Sequence, residues 1–338
     1  MKCNSKMCVG LIVCSYLAVF ASCGGLNLPK PHASTDNAIL RSSARSGGAP
    51  IWQGLAFSPD SQLLAAGGNI WSVADRQIVG QYSGSVAFDS GSVAFSPDST
   101  VLARATRGGV QLLSVTDQTE IVSFSADRYA LRCMAFSPDG QWIAAGTFRA
   151  SIVLWPTRLP DKKVIHTLEG HIGDIYTLAF SPDGQRLASG GQDGTIKLWS
   201  IPEVALVATL RGHRNVVLDV SFSSDGSLLA SGSWDSTVKI WSLAEMKAIA
   251  TLRGHIQGVS SVSFSPDGSL LASGEKFTDM IPWARGAGNG IKVWSVAKRR
   301  VVATLDGMRP VAFSPDGRWL VGQVKEGLRL WKASDITK

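Results

Sequence analysis

Beyond residue 23 this chain of 338 residues has a single cysteine, Cys133. The other four, Cys3, Cys8, Cys14 and Cys23, lie at the extreme N-terminus, so no intrachain disulfide can cross-link the folded domain. Histidines number only five, and no Cys/His cluster has the spacing of metal ligands. A glycine-rich phosphate loop is also missing. We therefore expect neither a metal nor a cofactor.

The chain also lacks a hydrophobic run long enough to cross a bilayer comfortably. The longest run, residues 7–21, has about fifteen residues where a spanning helix needs roughly 20. Two lysines and no acid precede it, and small residues follow it. This pattern predicts a secretory signal peptide in residues 1–22.

The end of the run, Phe20-Ala21-Ser22-Cys23-Gly24, resembles the lipobox of bacterial lipoproteins. The resemblance implies cleavage before Cys23 and acylation of that residue, which would anchor the protein on the extracytoplasmic side of a bacterial membrane. Ala21 and Ser22 fit the small-residue positions, whereas Phe20 stands where Leu or Val is usual. The alternatives are an ordinary signal peptide, giving a secreted or periplasmic soluble protein, and an uncleaved anchor.

Residues 23–37 are predicted to form the lipidated cysteine and a flexible tether, because Pro, Gly and small polar residues give this stretch no periodic apolar face. The chain has a formal charge of +7, which falls to +5 once the two lysines of residues 1–22 are removed. So small an excess of positive charge does not indicate a nucleic-acid-binding protein.

One phrase recurs seven times along the chain. It reads Phe-Ser-Pro-Asp, with Ser for Pro in one copy, and its phenylalanines are Phe57, Phe95, Phe136, Phe180, Phe222, Phe264 and Phe313. A period near 40–45 residues is typical of the four-stranded blades of a β-propeller. Seven copies predict seven blades within residues 38–338, starting near residues 51, 89, 130, 174, 216, 258 and 307.

Each repeat reads as four strands joined by turns. In the fourth copy, Ile175–Phe180 has apolar residues at alternating positions and precedes a Pro-Asp-Gly turn. A predicted strand rich in small residues, Arg186–Gly190, follows the turn. Asp193-Gly194 then leads into Thr195–Trp199, and Leu206–Leu210 supplies a fourth strand. The predicted fold is all-β: a seven-bladed propeller of four-stranded antiparallel blades.

Over about residues 38–335 the chain resembles the WD-repeat family. The resemblance rests on Gly-His pairs, which end at His171, His213 and His255, and on strand-ending tryptophans, which are Trp155, Trp199, Trp241, Trp294 and Trp331. Blades 1, 2, 3 and 7 lack Gly-His, and Leu113 replaces the tryptophan of blade 2. The family often closes its ring with an N-terminal strand. Residues 38–41 are therefore expected to complete the last blade.

The resemblance also assigns a structural role to two sets of residues. In this family Trp, Ser, His and Asp form a hydrogen-bonded tetrad within a blade. The matching sets are His171, Ser189, Asp193 and Trp199, and His213, Ser231, Asp235 and Trp241. Each set contains the residue types of a hydrolase triad, but near-identical repetition favours scaffolding. We expect no catalytic residue and no enzymatic activity.

The family places the loops from strand four to strand one, and from strand two to strand three, on a face that commonly binds peptides or proteins. Residues four before the repeat phenylalanines lie at its mouth and include Arg132, Tyr176, Leu218 and Arg309. Gln192 and Trp234 precede the tetrad aspartates. The corresponding aspartate positions of other blades hold Arg107, Arg149 and Lys325.

These residues predict a basic side of the face and an aromatic side. The basic members are Arg107, Arg132, Arg149, Arg309 and Lys325, and the apolar members are Tyr176, Leu218 and Trp234. Arginine and aromatic residues dominate binding hot spots, which favours a partner-binding surface over a solvated rim. A solvated rim with scattered apolar residues is the alternative.

Blade 6 carries the one clear insertion. Between Ser273 and Trp294 the chain is 21 residues long, against 10 between Ser189 and Trp199. The inserted loop, residues 275–289, includes the apolar residues Phe277, Met280, Ile281 and Trp283. A loop with this many apolar residues is unusual in solvent. We therefore expect it either to pack on the rim or to contact a partner or a membrane.

Together these features predict a monomeric, non-catalytic scaffold for protein–protein contacts, held at a membrane by its N-terminal lipid, with no nucleic acid among its partners. The alternative is a propeller enzyme or sensor that binds a small ligand or an anionic surface polymer at the central channel or the basic rim. No convergent acids, metal ligands or cofactor motif favours that alternative.

Overall fold

A computed structural model describes residues 38–40, 54–82, 92–106, 108–126, 130–157, 166–275, 290–324 and 326–336. These residues form 28 β strands in seven four-stranded antiparallel sheets, and a single helical turn. The predicted all-β, seven-bladed architecture is therefore confirmed.

The strands are numbered in chain order, beginning with β1 (Ala38–Leu40). Blade 1 consists of β2 (Leu55–Phe57), β3 (Leu63–Ala66), β4 (Asn69–Ser72) and β5 (Ile78–Gln81). Blade 2 consists of β6 (Val93–Phe95), β7 (Val101–Thr106), β8 (Gly109–Ser114) and β9 (Glu120–Ser125). Blade 3 consists of β10 (Leu131–Phe136), β11 (Trp142–Thr147), β12 (Ser151–Pro156) and β13 (His166–Glu169).

The remaining blades follow the same plan. Blade 4 consists of β14 (Ile175–Phe180), β15 (Arg186–Gly191), β16 (Ile196–Ser200) and β17 (Ala205–Leu210). Blade 5 consists of β18 (Val217–Phe222), β19 (Leu228–Ser233), β20 (Val238–Ser242) and β21 (Lys247–Leu252). Blade 6 consists of β22 (Val259–Phe264), β23 (Leu270–Glu275), β24 (Ile291–Ser295) and β25 (Arg300–Leu305). Blade 7 contains β26 (Met308–Phe313), β27 (Trp319–Val324) and β28 (Gly327–Lys332).

The first strand of each blade lines the centre of the ring. These inner strands contact one another in chain order, and β26 contacts β2, which closes the circle. Because the strands are antiparallel, the turns from strand one to strand two all lie on one face, here called the lower face. The loops from strand four to strand one, and the turns from strand two to strand three, lie on the opposite, upper face.

The repeated phrase forms the lower-face turns. In blade 4 the Ser181 hydroxyl donates to Asp183 Oδ1 at 2.5 Å, and the same oxygen accepts the Gln185 backbone N–H at 3.0 Å. The residue after the aspartate has a positive φ, which suits Gly184 at 70°. In blades 1 and 2 this position holds Ser61 and Ser99, at φ 61° and 63°. The turn therefore forms even without its glycine.

An N-terminal strand completes blade 7, as predicted. Ala38 pairs with Leu330 and Leu40 pairs with Leu328, so β1 is antiparallel to β28. Arg41, the last residue of the predicted closing strand, lies outside the described residues. The chain ends in a helical turn, α1 (Ala333–Ile336), which the sequence analysis did not predict and which buries Ile336.

The hydrophobic core lies between adjacent blades. At the junction of blades 3 and 4, for example, Ile152 and Leu168 pack with Ile175, Leu187 and Trp199 in one buried cluster. The lone body cysteine, Cys133, belongs to this cluster, and burial raises the pKa of its thiol to about 12. Cys133 is therefore a packing residue with a neutral thiol.

Side chains three positions before the repeat phenylalanines tie neighbouring inner strands together. Each bonds the backbone of the next blade: Ser92 Oγ to Met134 N (3.0 Å), Cys133 Sγ to Ile175 O (3.7 Å), Thr177 Oγ1 to Val220 N (3.2 Å), Asp219 Oδ2 to Val262 N (2.7 Å) and Ser261 Oγ to Val311 N (3.0 Å). Pro310 and Gly54 occupy this position in blades 7 and 1. Neither has a polar side chain, so the two junctions of blade 1 lack this tie.

No helix among the described residues has the length and apolar character needed to cross a membrane.

Candidate protein-binding face

The predicted tetrad of blade 4 forms a continuous hydrogen-bond chain. Trp199 Nε1 donates to Ser189 Oγ at 2.8 Å, and Ser189 Oγ lies 2.8 Å from His171 Nε2. The other ring nitrogen, His171 Nδ1, lies 3.0 Å from Asp193 Oδ2. Ser189 and the His171 side chain are fully buried.

Blade 5 repeats this geometry with its own residues. Trp241 Nε1 donates to Ser231 Oγ at 2.8 Å, His213 Nε2 lies 2.7 Å from the same oxygen, and His213 Nδ1 lies 2.9 Å from Asp235 Oδ2. Because the histidines and serines of both tetrads are enclosed, neither set offers a nucleophile to a substrate. Their role in the structure is to satisfy buried polar groups.

Blade 6 has a third tetrad that the sequence analysis missed. Trp294 Nε1 donates to Ser273 Oγ at 2.7 Å, and His255 Nε2 lies 2.6 Å from that oxygen. The acid is Glu275, whose Oε1 lies 3.0 Å from His255 Nδ1. Glu275 follows its serine by two positions, where Asp193 and Asp235 follow theirs by four, so a search by spacing overlooks it.

The tetrad acids remain ionised in the folded protein. Burial alone would raise the pKa of Asp193 and Asp235, but hydrogen bonds from the paired histidine, a threonine hydroxyl and backbone N–H groups outweigh it and hold the pKa of both far below its usual range. In blade 6, burial lowers the pKa of His255 despite the adjacent Glu275. A neutral histidine donating to a carboxylate accounts for this arrangement.

Each tetrad acid also fixes an upper-face loop. Asp193 Oδ2 accepts the backbone N–H of Ile172 at 3.0 Å, and Asp235 Oδ2 accepts that of Arg214 at 2.9 Å. Glu275 Oε1 accepts that of Ile256 at 2.7 Å. The residue held in each case is the one that follows the tetrad histidine, so the buried network positions an exposed residue.

The residues held in this way point apolar and cationic groups to solvent. Ile172 is 80% exposed and Ile256 is 62% exposed, and Arg214 is exposed between them in blade order. These three were not among the residues predicted from the sequence to lie on the binding face, although each directly follows a Gly-His pair. Trp234, which was predicted to lie there, is 45% exposed. Ile256 lies beside the Trp234 turn, because Ser236 Oγ donates to Ile256 O at 3.4 Å, and adjacent exposed apolar side chains are typical of an interaction surface.

The predicted mouth residues occupy bulges. The strand register shifts at Arg132, Tyr176 and Leu218, and in blade 7 across Arg309 and Pro310, so these residues are extra in the innermost strands. A bulge redirects a side chain at the end of a strand. Tyr176 and Leu218 are half-buried, and burial lowers the pKa of Arg309.

Arg132 does not belong to a separate basic side of the face. Its guanidinium lies 3.6 Å from the ring centre of Tyr176 and 4.8 Å from that of Phe148, and its Nη1 lies 3.1 Å from Asp174 Oδ2. The expected separation of basic and aromatic residues therefore fails between blades 3 and 4. Arg132 is a structural contact between those two blades, with its charge paired.

Two other predicted residues link upper-face loops. The Gln192 side chain accepts the backbone N–H of Asp174 at 3.1 Å, so it braces the loop that carries Ile172. The Trp234 backbone N–H donates to Val216 O at 3.0 Å, and its ring lies against Gly258, where an added Cβ would come within 2.9 Å of Trp234 Cδ1. Trp234 thus joins the loops that lead into blades 5 and 6.

Of the remaining predicted residues, Arg149 is exposed on the upper-face turn of blade 3. Several lie outside the described residues: Cys23, Arg107, Lys325, and Phe277, Met280, Ile281 and Trp283 of the 275–289 loop.

A cavity of about 260 Å³ lies at the lower edge of the seam between blades 3 and 4, and a second of about 270 Å³, lined by blade 4 alone, shares Gln185 and Pro202 with it. Trp142 and His166 stack in the wall of the first, with ring centres 5.7 Å apart. Within the described ranges, no group of three or more His, Cys, Asp or Glu side chains is placed to hold a metal ion.

The closed ring of four-stranded blades defines the class of the protein: it is a seven-bladed β-propeller. Within that class, its repeats match a known family, the WD domain, G-beta repeat. The matching segments are residues 118–156, 162–200, 205–242 and 246–295, so the chain contains four WD40 repeats. Each segment spans the outer strand of one blade and the three inner strands of the next, β13 to β16 in the second case.

No curated protein matches the chain. WD40 propellers generally act as non-catalytic scaffolds that bind other proteins.

Proposed function

We propose that this protein is a non-catalytic protein-interaction scaffold, anchored at a bacterial membrane through an acylated Cys23 and binding its partner with the upper face of the propeller. The observation that carries the proposal is the row of exposed side chains, Ile172, Trp234 and Ile256, on loops held by buried tetrads. Exposed apolar groups on rigid loops bind with little loss of conformational entropy.

The tetrads support this function by fixing the surface before a partner arrives. A loop ordered only on binding would lose affinity, since immobilising each flexible side chain costs about 0.5–1.5 kcal/mol. Here the backbones of Ile172, Arg214 and Ile256 already donate to buried carboxylates. The same networks that could be mistaken for catalytic triads thus preorganise a binding surface.

The direction of β1 supports the combination of anchoring and binding. β28 runs from the upper face to the lower face, and β1 is antiparallel to it, so Ala38 lies nearer the lower face than Leu40. β1 therefore begins at its lower-face end. A lipid at Cys23 would leave the upper face free to turn away from the membrane.

Photocrosslinking in the native membrane tests the binding face. A photoreactive amino acid in place of Arg214 probes the upper face of blade 5, and the same amino acid in place of Ser227, which is exposed on the lower face of the same blade, is the matched control. We expect a discrete crosslinked protein from position 214 and none from position 227. Crosslinks from position 227 alone would show that the lower face binds.

A further inference from the structure

The upper face around Trp234 combines an apolar anchor with positive charge. Arg211, Arg214 and Arg253 are exposed in the two loops that Trp234 joins, and none of them forms an ion pair with a described residue. Arg214 is held next to the Trp234 turn by its N–H bond to Asp235, and Ser236 of that turn donates to Ile256 O at 3.4 Å. We call Arg211, Arg214, Trp234, Arg253 and Ile256 the Trp234 station.

Acids near this station are mostly engaged. Asp193, Asp235 and Glu275 accept from tetrad histidines, and Asp174 is paired with Arg132. Glu169 and Asp306 are exposed on upper-face loops, but they lead into blades 4 and 7, outside the two loops of the station. Asp235 and Glu275 keep their negative charge, but they are largely buried and the three exposed arginines outnumber them, so the net charge at the Trp234 station is positive.

The turns from strand one to strand two carry carboxylates on the lower face. Every copy of the repeated phrase places an aspartate there, and the seven are Asp60, Asp98, Asp139, Asp183, Asp225, Asp267 and Asp316. Hydrogen bonds from Ser223 and the Ser227 backbone lower the pKa of Asp225 to about 2, and similar bonds lower the pKa of Asp98, Asp183 and Asp267. The carboxylates of these four turns remain ionised, so these turns repel an anionic segment, whereas the arginines of the Trp234 station attract it.

From this charge arrangement we infer that the Trp234 station recognises an acidic segment of a partner protein. Its carboxylates pair with Arg211, Arg214 and Arg253, and a large apolar side chain packs against Trp234 and Ile256. Guanidinium groups match carboxylates in two-point geometry, and tryptophan is a typical hot-spot anchor. The inference rests on the proposed function, because it specifies the chemistry of the partner for the same face.

Selection from a random linear peptide library displayed on phage, with the full chain as target, tests the inference. We expect the selected peptides to be enriched in Asp and Glu beside Leu, Ile, Phe or Met. The double variant Arg214→Glu with Arg253→Glu should weaken their binding about tenfold or more, with a loss of salt dependence. Trp234→Ala should weaken it about tenfold or more as well, through faster dissociation.

The matched control is the double variant Lys298→Glu with Arg300→Glu, an equal charge change at two exposed residues on the lower outer edge of blade 6, which should leave binding unchanged. Circular dichroism checks that all variants keep the fold. If the selected peptides are neutral or basic and Trp234→Ala still weakens their binding, the inference of an acidic partner is wrong, whereas the proposed function is supported. Failure to select any peptide, or peptides insensitive to every upper-face variant, would overturn the inference. If dextran sulfate binds as tightly as the peptides and Trp234→Ala does not weaken its binding, the ligand of this face is an anionic polymer and the inferred protein segment is wrong.

Discussion

Asp219 Oδ2 accepts a hydrogen bond from the backbone N–H of Val262 at 2.7 Å, so a side chain of blade 5 holds the inner strand of blade 6. The same carboxylate accepts the Thr177 hydroxyl of blade 4 at 3.1 Å. Ser92, Thr177 and Ser261 make the corresponding tie with an uncharged hydroxyl. Asp219 is the one ionisable carboxyl among these ties and connects three blades.

The stability of the protein should depend on pH through Asp219. Burial raises the pKa of Asp219 from 3.8 to about 6, and hydrogen bonds from Val262, Thr177 and Val220 only partly oppose it. A carboxyl with a raised folded-state pKa binds its proton more tightly in the native protein, so its contribution to stability falls as pH rises from about 4 to about 6. The two-unit difference corresponds to at most about 3 kcal/mol.

Asp219→Asn isolates this effect, because the variant has no proton to lose. We expect the stability of the wild type minus that of Asp219→Asn to decrease between pH 4 and pH 7, measured by urea unfolding at each pH. The carboxyls with lowered pKa, such as Asp193 and Asp225, act in the opposite direction but cancel in this difference. A difference that stays constant with pH would contradict the prediction.

His213→Ala should destabilise the protein by about 2 kcal/mol or more, because a buried polar group left without its partner costs about 1–3 kcal/mol. The substitution removes the partner of Ser231 Oγ and of Asp235. Thermal unfolding measures the loss, and faster hydrogen exchange at the Arg214 amide should accompany it. His166→Ala is the control: His166 stacks on Trp142 outside any tetrad, so an equal loss there would argue against the network.

The repeated phrase was sufficient to predict the blade number and the lower-face turns, because Phe-Ser-Pro-Asp encodes a local turn. The resemblance to the WD-repeat family implied two tetrads, whose members keep a constant spacing. The third escaped because the longer side chain of Glu275 reaches His255 from a position two residues earlier than the aspartates. The pairing of Arg132 with Asp174 was equally hidden, since it spans 42 residues and depends on how blades 3 and 4 pack.

Exposed residues were harder to predict than buried ones. Ile172 and Ile256 are apolar and flank a buried histidine, so the sequence suggests core positions for both. Only the hydrogen bonds from their N–H groups to Asp193 and Glu275 explain why their side chains lie in solvent.

The third tetrad provides a test of side-chain reach. Glu275→Asp shortens the acid by one methylene group, and from this position the carboxylate should no longer reach both His255 Nδ1 and Ile256 N. We expect a loss of roughly 1–3 kcal/mol, with faster hydrogen exchange at the Ile256 amide. Asp193→Glu in blade 4 is the reciprocal control, since it adds length where none is needed. Unchanged stability and exchange in Glu275→Asp would show that the spacing is not critical.

Cys23 should be the N-terminal residue of the mature protein and should carry acyl chains. The pattern Phe20-Ala21-Ser22-Cys23 after a short apolar run predicts it, and stable anchoring needs more than one acyl chain. Intact-mass measurement of protein extracted from membranes gives both the first residue and the added mass. Cys23→Ser should release the protein from the membrane fraction. A soluble wild-type product that begins at another residue would refute the prediction.

Ring closure should depend on β1 more than on any other contact at the junction of blades 7 and 1. Pro310 leaves this junction without the inner-strand tie that joins each successive pair of blades from blade 2 to blade 7. Leu40, 1% exposed, packs instead with Leu64 and Trp71 of blade 1 and with Leu328 and Leu330 of blade 7, so one short strand joins both blades. Removing it would expose the edge of β28 and open the cluster.

Three truncated chains, beginning at residues 24, 37 and 42, test this dependence. A chain that begins at residue 37 keeps β1 and should melt at the same temperature as a chain that begins at residue 24. A chain that begins at residue 42 should melt several degrees lower and aggregate, because an unpaired strand edge recruits other strands. Leu40→Ala in the longer chain separates packing from pairing: it should cost about 2–5 kcal/mol while keeping the backbone bonds to β28. Equal melting temperatures for the chains beginning at residues 37 and 42 would show that the ring closes without β1.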